Sequence, residues 1–390
     1  MAFIGRASLP TNYEDFARSA TASLLLPQPE PQYLFAHWAM AGRLSLAALN
    51  AGATSVQQYI TAAGGGAPIP QDLDRMARVA DAFPGFVQAV DVFGPNAGDT
   101  VKFQRPKFST GGLTEAAREL TTDAAISTTG LAIQMEEVPV VLKQFHGPYD
   151  GAGAAVQPYA IANFDAKYRA NKLQLASVAS LHLKRDYTYW LDAVIRDRFR
   201  AARYTTLSNA GYADVTAYVA GGGQRFDLDT IFRARKTLSD REWQRFPNGR
   251  YACLVPTVFN TDMLSDVDYR EMSKVHADGR NQLYGYIGSV QDIDFFECTT
   301  LSSYAPGTTP LGDKTGVVPA NVTLQEALLV GPGAVGMGTA APDPEGTVGP
   351  VVRFADDTNY GTIAKVIWYA LHAFQTVDER GVQRILAQSA

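Results

Sequence analysis

Gly331 to Gly336 reads GPGAVG and has the GxGxxG spacing of a dinucleotide-binding turn. It comes after the strand-like run EALLV, and Asp356 lies about 20 residues past its last glycine, where such sites carry an acid for the ribose. The chemistry also needs a helix N-terminus beneath the pyrophosphate. The next residues are MGTAAPDPEGTVGP, and Pro342, Pro344 and Pro350 forbid a proper helix there. Pro332 removes a backbone N–H from the turn itself. The motif is therefore expected to be a tight turn leaving a strand. GDKTG at Gly312 lacks P-loop spacing, and Gly288-Ser289-Val290 is not a nucleophile elbow. His37, His146, His182, His276 and His372 are scattered, with none in a metalloprotease frame. Glu136/Glu137 and Asp356/Asp357 are sequence neighbours, which in a strand point to opposite faces and do not converge on one substrate. They are expected to be solvated or to pair with a neighbouring subunit. Cys253 and Cys298 do not make a disulfide framework, and no Cys/His cluster has zinc-ligand spacing. No catalytic, metal-binding or cofactor residue is expected.

Charge is the other place where chemistry could reside. Arg196, Arg198, Arg200 and Arg203 crowd the end of a helical stretch. Cations there suit the helix dipole. The alternative is a basic row facing nucleic acid or an acidic neighbour. The whole chain carries a formal charge of −5, not the basic excess of a protein that grips nucleic acid. With 390 residues, 46% of them hydrophobic, it is long enough for a large core or two linked ones. The opening MAFIGRASLPTNYEDF has no charged segment leading into an apolar one, so no secretory leader is expected. The apolar run from Ile363 to Leu371 is too short to span a bilayer. A soluble protein that is not exported is expected.

Residues 1–98 are expected to form an extended or loosely packed arm, broken by the prolines of LLLPQPEPQ at Leu24–Gln32 and by GGGAPIP at Gly64. Within it, helical periods run over Tyr33–Ala51 and Gln71–Ala82. From Asp99 the period changes to two, with Val101, Phe103 and Phe108 alternating. After a polar excursion, Leu131, Ile133 and Met135 alternate, then Glu136 and Glu137 interrupt, then Val138, Val140 and Leu142 alternate in a new register. This reads as a hairpin-like extension over 99–145 whose partner is another subunit. Lys172 to Tyr204 contains no Gly or Pro and has large apolar residues at three- and four-residue steps, a helix on the order of 45 Å long. A further helix over about Asp227 to Trp243 is capped by Asp227 or Asp229. Asn248–Leu301 reads as a buried strand, a short helix, a polar loop and a second strand, a third apolar run follows at Glu326, and GTIAKVIWYALHAFQ from Gly361 reads as a strand by context although its periodicity equally allows a helix. Tyr304–Pro319 reads as an inserted surface loop.

That order carries a resemblance. The segments GRYACLVPTVFNTDML, GRNQLYGYIGSVQDIDFFECTTL, EALLVGPGAVG and GTIAKVIWYALHAF look most like capsid proteins of N-four-like podoviruses, within the Hong Kong 97 type of tailed-phage major capsid protein. The motif match covers the second half of the chain, and the first half matches by element order. The resemblance implies an α+β fold of that type: an N-terminal arm (1–98), an extended loop across a neighbour (99–145), a peripheral domain with a long spine helix (146–204), an axial domain (205–340) and a return to the peripheral domain (341–390). It implies self-assembly into hexamers and pentamers of an icosahedral head that encloses double-stranded DNA without reading its sequence. A scaffolding protein, a portal and, where one exists, a decoration protein are the implied partners, with no cofactor and no membrane. The implied location is the virion, assembled in the bacterial host cytoplasm. Expected assembly contacts are Val101, Phe103, Phe108, Leu131, Ile133, Met135, Glu136, Glu137, Arg196 and Arg200. No motif supports crosslinking through Lys102, Lys107 or Lys143. Three other classes stay open on the residues: an encapsulin-type compartment shell, a decoration protein of a virion, and, from GPGAVG alone, a nicotinamide-dependent oxidoreductase.

Overall fold

Leu183, Tyr187, Leu191, Ile195 and Phe199 are all fully buried and succeed one another at four-residue steps. A helix turns about 100° per residue, so a four-residue stripe drifts by about 40° per step and winds round the axis. One helix can thereby serve two partners along its length. In the computed structural model it does. The structure describes residues 34–63, 71–92, 99–106, 135–148, 159–162, 164–208, 212, 214–220, 225–266, 269, 286–301, 303–320, 322–341, 349–356 and 363–388. The long helix, α4, spans Phe164–Arg200. Near Tyr187 it packs on Trp368 and His372 of a six-stranded sheet, and near Phe199 on Phe35 and Phe86 of the N-terminal segment. It starts earlier and ends sooner than the expected 172–204.

Residues 34–63 and 71–92 are not a loose arm. They form α1 (Leu34–Asn50), α2 (Val56–Ala63), α3 (Gln71–Ala82) and β1 (Val87–Val92). Leu34, Phe35, Trp38, Phe83 and Phe86 are all buried in the largest core. Trp38 meets Phe83, Phe86 and Phe296 with ring centroids 5.2, 3.9 and 4.8 Å away. Such pairs add roughly 0.5–1.5 kcal/mol each beyond area burial. That gain outweighs the breaks in the sequence pattern and docks the helices onto α4. The proline-rich run at 24–32 lies outside the described residues.

The six-stranded sheet is built around β14 (Ile363–Thr376), fourteen residues long. His372 pairs with Thr339 of β12 (Val335–Ala340) and also with Lys143 of β4 (Lys143–Gly147). Trp368 pairs with Val352 of β13 (Val351–Asp356) and also with Gly147. So β13 and β12 lie end to end along one edge of β14. On the other edge β5 (Tyr159–Ala162) and β4 do the same. β1 adds outside β12 in parallel.

The seven-stranded sheet runs β6 (Thr205–Leu207), β15 (Val382–Gln388), β11 (Leu324–Val330), β7 (Tyr251–Val255), β9 (Ile293–Glu297) and β8 (Tyr286–Val290), with β10 (Ser303–Tyr304) also on β11. Its two faces read directly off the alternation of the strands. Leu328, Val330, Ala252 and Leu254 face the core shared with α1 and α4. Ala327, Leu329, Cys253 and Val255 face α6 (Leu228–Asp240) and α7 (Thr257–Ser265). Asp227 caps α6, its Oδ1 accepting from Thr230 N at 2.8 Å. A short helix α5 (Val215–Ala220) lies beside β6 and β15.

Two boundaries differ from the expected partition. β12, placed in the 205–340 segment, belongs to the six-stranded sheet. β15, placed in the returning tail 341–390, sits inside the seven-stranded one. The chain crosses between the sheets at the β11–β12 turn and again at Val377–Gly381, where Gly331 N donates to Gly381 O at 2.9 Å. Tight turns suffice for both crossings because the sheets abut.

Candidate functional site

The glycine motif resolves first. Gly331–Ala334 is a turn between two strands, β11 and β12, with Gly333 at φ +73°. The turn leads into a strand and not a helix N-terminus, so nothing there cradles a pyrophosphate. The glycines serve packing instead. A Cβ on Gly336 would lie 2.5 Å from the ring of Phe103, and one on Gly338 would lie 3.0 Å from Val101. Glycine at alternate strand positions marks a close approach of another element.

That element is a two-stranded hairpin, β2 (Thr100–Pro106) with β3 (Met135–Val141). Its inward side chains, Val101 and Phe103, are buried with Leu142, Ala340 and Leu371. The two residues expected on a subunit contact are thus inside their own chain, because the strand's apolar face turns down onto β12. Charged pairs flank that apolar stripe, one on each face of the ladder. Glu136 pairs with Arg105 and Glu137 with Lys102, the latter at 2.6 Å. These ion pairs cross from β3 to β2 within one chain, as opposite charges on paired strands of a ladder do. Arg105 also reaches Asp378, at 3.5 Å, in the link to β15. Met135 pairs with Pro106. Phe108, Leu131 and Ile133 lie outside the described residues.

The arginine row is likewise engaged. Arg196 donates to the Thr300 carbonyl at 2.8 Å. Arg200 donates to Glu326 Oε2 and to the Tyr304 hydroxyl, both at 2.8 Å. Glu326 is fully buried and also accepts from Arg384 Nε at 2.6 Å. Arg384, fully buried too, donates onward to Tyr304 and to the Leu311 carbonyl. Sequence reasoning missed Glu326, Arg384 and Tyr304. The one available signal was a charged residue at an inward position of each of two apolar strands. Arg203 pairs with Glu379 and, with Arg241, lies over the Tyr204 ring.

The buried titratable groups among the described residues lie at several separate places in the fold. Cys253 and Cys298 are free and buried, and burial pushes the Cys298 thiol up to about 12. His372 is buried between Tyr187, whose hydroxyl is 2.9 Å from Nε2, and Thr339. Burial, with Arg43 nearby, lowers it to about 3, and burial lowers His37 to about 4. Asp192 accepts from Phe35 N at 2.8 Å, Ala36 N at 3.2 Å and Thr300 Oγ1 at 2.9 Å. Burial raises it to about 6 despite those bonds. Among the described residues no three His, Cys, Asp or Glu side chains could hold a metal ion, and no helix is long and apolar enough to cross a membrane.

No protein-family model matches the chain, and no curated protein matches it. Solved structures do. The capsid of Ralstonia phage GP4 superposes with a TM-score of 0.50 at 13% identity, covering 78% of this chain and 87% of that one. The capsid of cyanophage P-SCSP1u does so with a TM-score of 0.50 at 12% identity, with the same coverage. At these identities the likeness is one of fold. The fold is the mixed helix-and-sheet phage capsid fold of the Hong Kong 97 type.

Proposed function

We propose that this chain is a major capsid protein, many copies of which close as hexamers and pentamers into the icosahedral head of a tailed phage. One observation carries the reading: the fold match runs through 78% of the chain and 87% of a phage capsid chain. Within that class the N-four-like podovirus family is proposed on the motif runs around Tyr251, Phe295 and Leu328. A scaffolding protein, a portal, assembly in a bacterial cytoplasm and enclosure of double-stranded DNA belong to the same proposal.

The work is mechanical rather than catalytic. A shell subunit needs a body that keeps its shape while its contacts rotate slightly between hexamer and pentamer. The two abutting sheets and α4 supply the body. The hairpin root, socketed in Gly336 and Gly338, holds the base of a projection at a set angle. The chain's −5 charge and its internally paired arginines suit a wall that surrounds nucleic acid without gripping it.

The test is negative-stain electron microscopy of the purified chain, alone and co-expressed with a candidate scaffolding protein. Closed shells or rings are expected. A monodisperse monomer under both conditions would sink the reading.

A further inference from the structure

The inward face of β2 lands on β12 one step at a time. Val101 meets Gly338, and Phe103 meets Gly336. Arg105 is the next residue on that face. The next step back along β12 is Ala334, whose carbonyl accepts from Val377 N at 2.8 Å and from Asp378 N at 3.2 Å. Arg105 reaches Asp378 there, Nη1 to Oδ2 at 3.5 Å. It is the last inward residue of β2 before the chain runs on to 107–134.

Asp378 is not free to follow Arg105. Its side chain is 2% exposed, and Arg380 holds both oxygens. The Arg380 backbone N and Nε each donate to Oδ1 at 3.0 Å, and Nη2 donates to Oδ2 at 2.6 Å. A carboxylate this deep is costly unless cations match it, and Arg105 and Arg380 do so. The Arg380 guanidinium in turn lies over the Trp243 ring, 5.8 Å from its centroid. Trp243 follows α6 and bears on both tight crossings between the sheets. A Cβ on Gly381 would lie 2.5 Å from the indole, and one on Gly331 would strike it.

Placing Trp243 there has two costs. Glu242, just before it, sits at φ +57°, left-handed backbone that a residue with a Cβ rarely adopts. The indole Nε1 is buried with no hydrogen-bond partner among the described residues. Strain of this kind persists only where the surroundings over-determine it. Here the surroundings are the two crossings and Arg380, which one flat ring touches together.

We propose that Trp243 is a positioning residue for the hairpin. Through Arg380 and Asp378 it sets the inclination at which β2 and β3 leave the body, so the joint between the sheets and the hairpin turn together. The Val101 and Phe103 seats fix where the hairpin sits. Arg105, the contact nearest the departing segment, fixes its pitch. The coupling passes through side chains in contact, and the ring need not touch the hairpin itself. It concerns a single chain, and it stands or falls separately from the capsid reading.

The test is double electron–electron resonance on the full chain, spin-labelled at Gln104→Cys on β2 and Thr261→Cys on α7, both exposed positions. Cys253 and Cys298 are fully buried and take no label. Labelled chain is diluted into an excess of unlabelled chain, so that only distances within one chain are read. A single narrow distance is expected. Arg105→Gln is expected to broaden it, Trp243→Leu to broaden it as far, and the two together no further than either alone. Arg380→Gln, at a half-exposed side chain (48%), carries the same test if Trp243→Leu does not fold. A narrow distance that survives Trp243→Leu or Arg380→Gln would overturn the proposal. So would a double variant whose broadening is the sum of the two singles. A lowered urea midpoint without broadening would mark Trp243 as packing alone and would overturn it equally.

Discussion

Buried titratable side chains set how this chain responds to pH, His37, His372 and Asp192 foremost. His37 falls from 6.5 to about 4 and His372 from 6.5 to about 3 on burial. A lowered folded-state pKa in a base means that the unfolded chain binds the proton more readily. The contribution of both is complete above pH 6.5 and drains away as pH falls toward those lowered values. Asp192 runs the other way. Burial raises it from 3.8 to about 6, so its contribution is complete below 3.8 and fades as pH rises through 6. Burial raises Asp186 and Asp262 as well, but each histidine is shifted further than Asp192, and the two histidines together win. The urea midpoint of the monomer is expected to be lower at about pH 5 than at about pH 7.5, and His372→Gln should narrow that gap. A midpoint that rises or holds steady on acidification would show that the histidines are not the controlling groups. The sequence made these residues visible only as scattered histidines and an aspartate in a helix. Their depth comes from packing partners up to 185 positions away, such as Tyr187 against His372, which no local pattern encodes.

Among the elements, the hairpin root depends on the absence of side chains opposite it. Because the Phe103 ring is itself fully buried, it cannot swing aside for a Cβ at Gly336. Gly336→Val is expected to cost about 2 kcal/mol, as overpacking in a tight core does. Adding Phe103→Ala should recover part of that cost, giving a measurable coupling in a double-mutant cycle by urea denaturation. Independent, additive losses would place the clash elsewhere. Elements with strong local signals were legible in the sequence: α3 at Gln71–Ala82, a helix cap at Asp227 or Asp229 that falls to Asp227, the central strands around Tyr251 and Glu326, and the turn at Gly331. β14 was legible only by context, since its apolar run allowed helix or strand. The docking of α1, α3 and β1 was hidden because proline and glycine runs at their borders suggest looseness. The buried rings of Phe35, Trp38, Phe83 and Phe86 supply the adhesion, against α4 and the seven-stranded sheet. The expected contacts Val101 and Phe103 were right as a strand face and turned to the interior, because only the tertiary fold shows what that face meets.

At the scale of the whole molecule, the 107–134 segment leaves and re-enters the body at one place. Pro106 pairs with Met135, so the ends of the 107–134 segment are neighbours in a ladder. Replacing 107–134 by a two-residue Asn-Gly turn, the kind that closes a hairpin, should leave the monomer's urea midpoint in place. The same deletion should abolish closed particles in electron micrographs, and intact shells from it would remove the hairpin from the assembly contacts. The order of pairing has a consequence in time. β14 comes later in the chain than every strand it joins, β4, β5, β12 and β13, and β15 comes later than both of its neighbours, β6 and β11. The two sheets therefore gain their last middle strands only as the ribosome nears residue 388. A nascent or prematurely terminated chain holds an open sheet and no finished body. Truncation ahead of Ile363 removes a middle strand from both sheets at once, so the loss is felt by the whole body and not by one end of it.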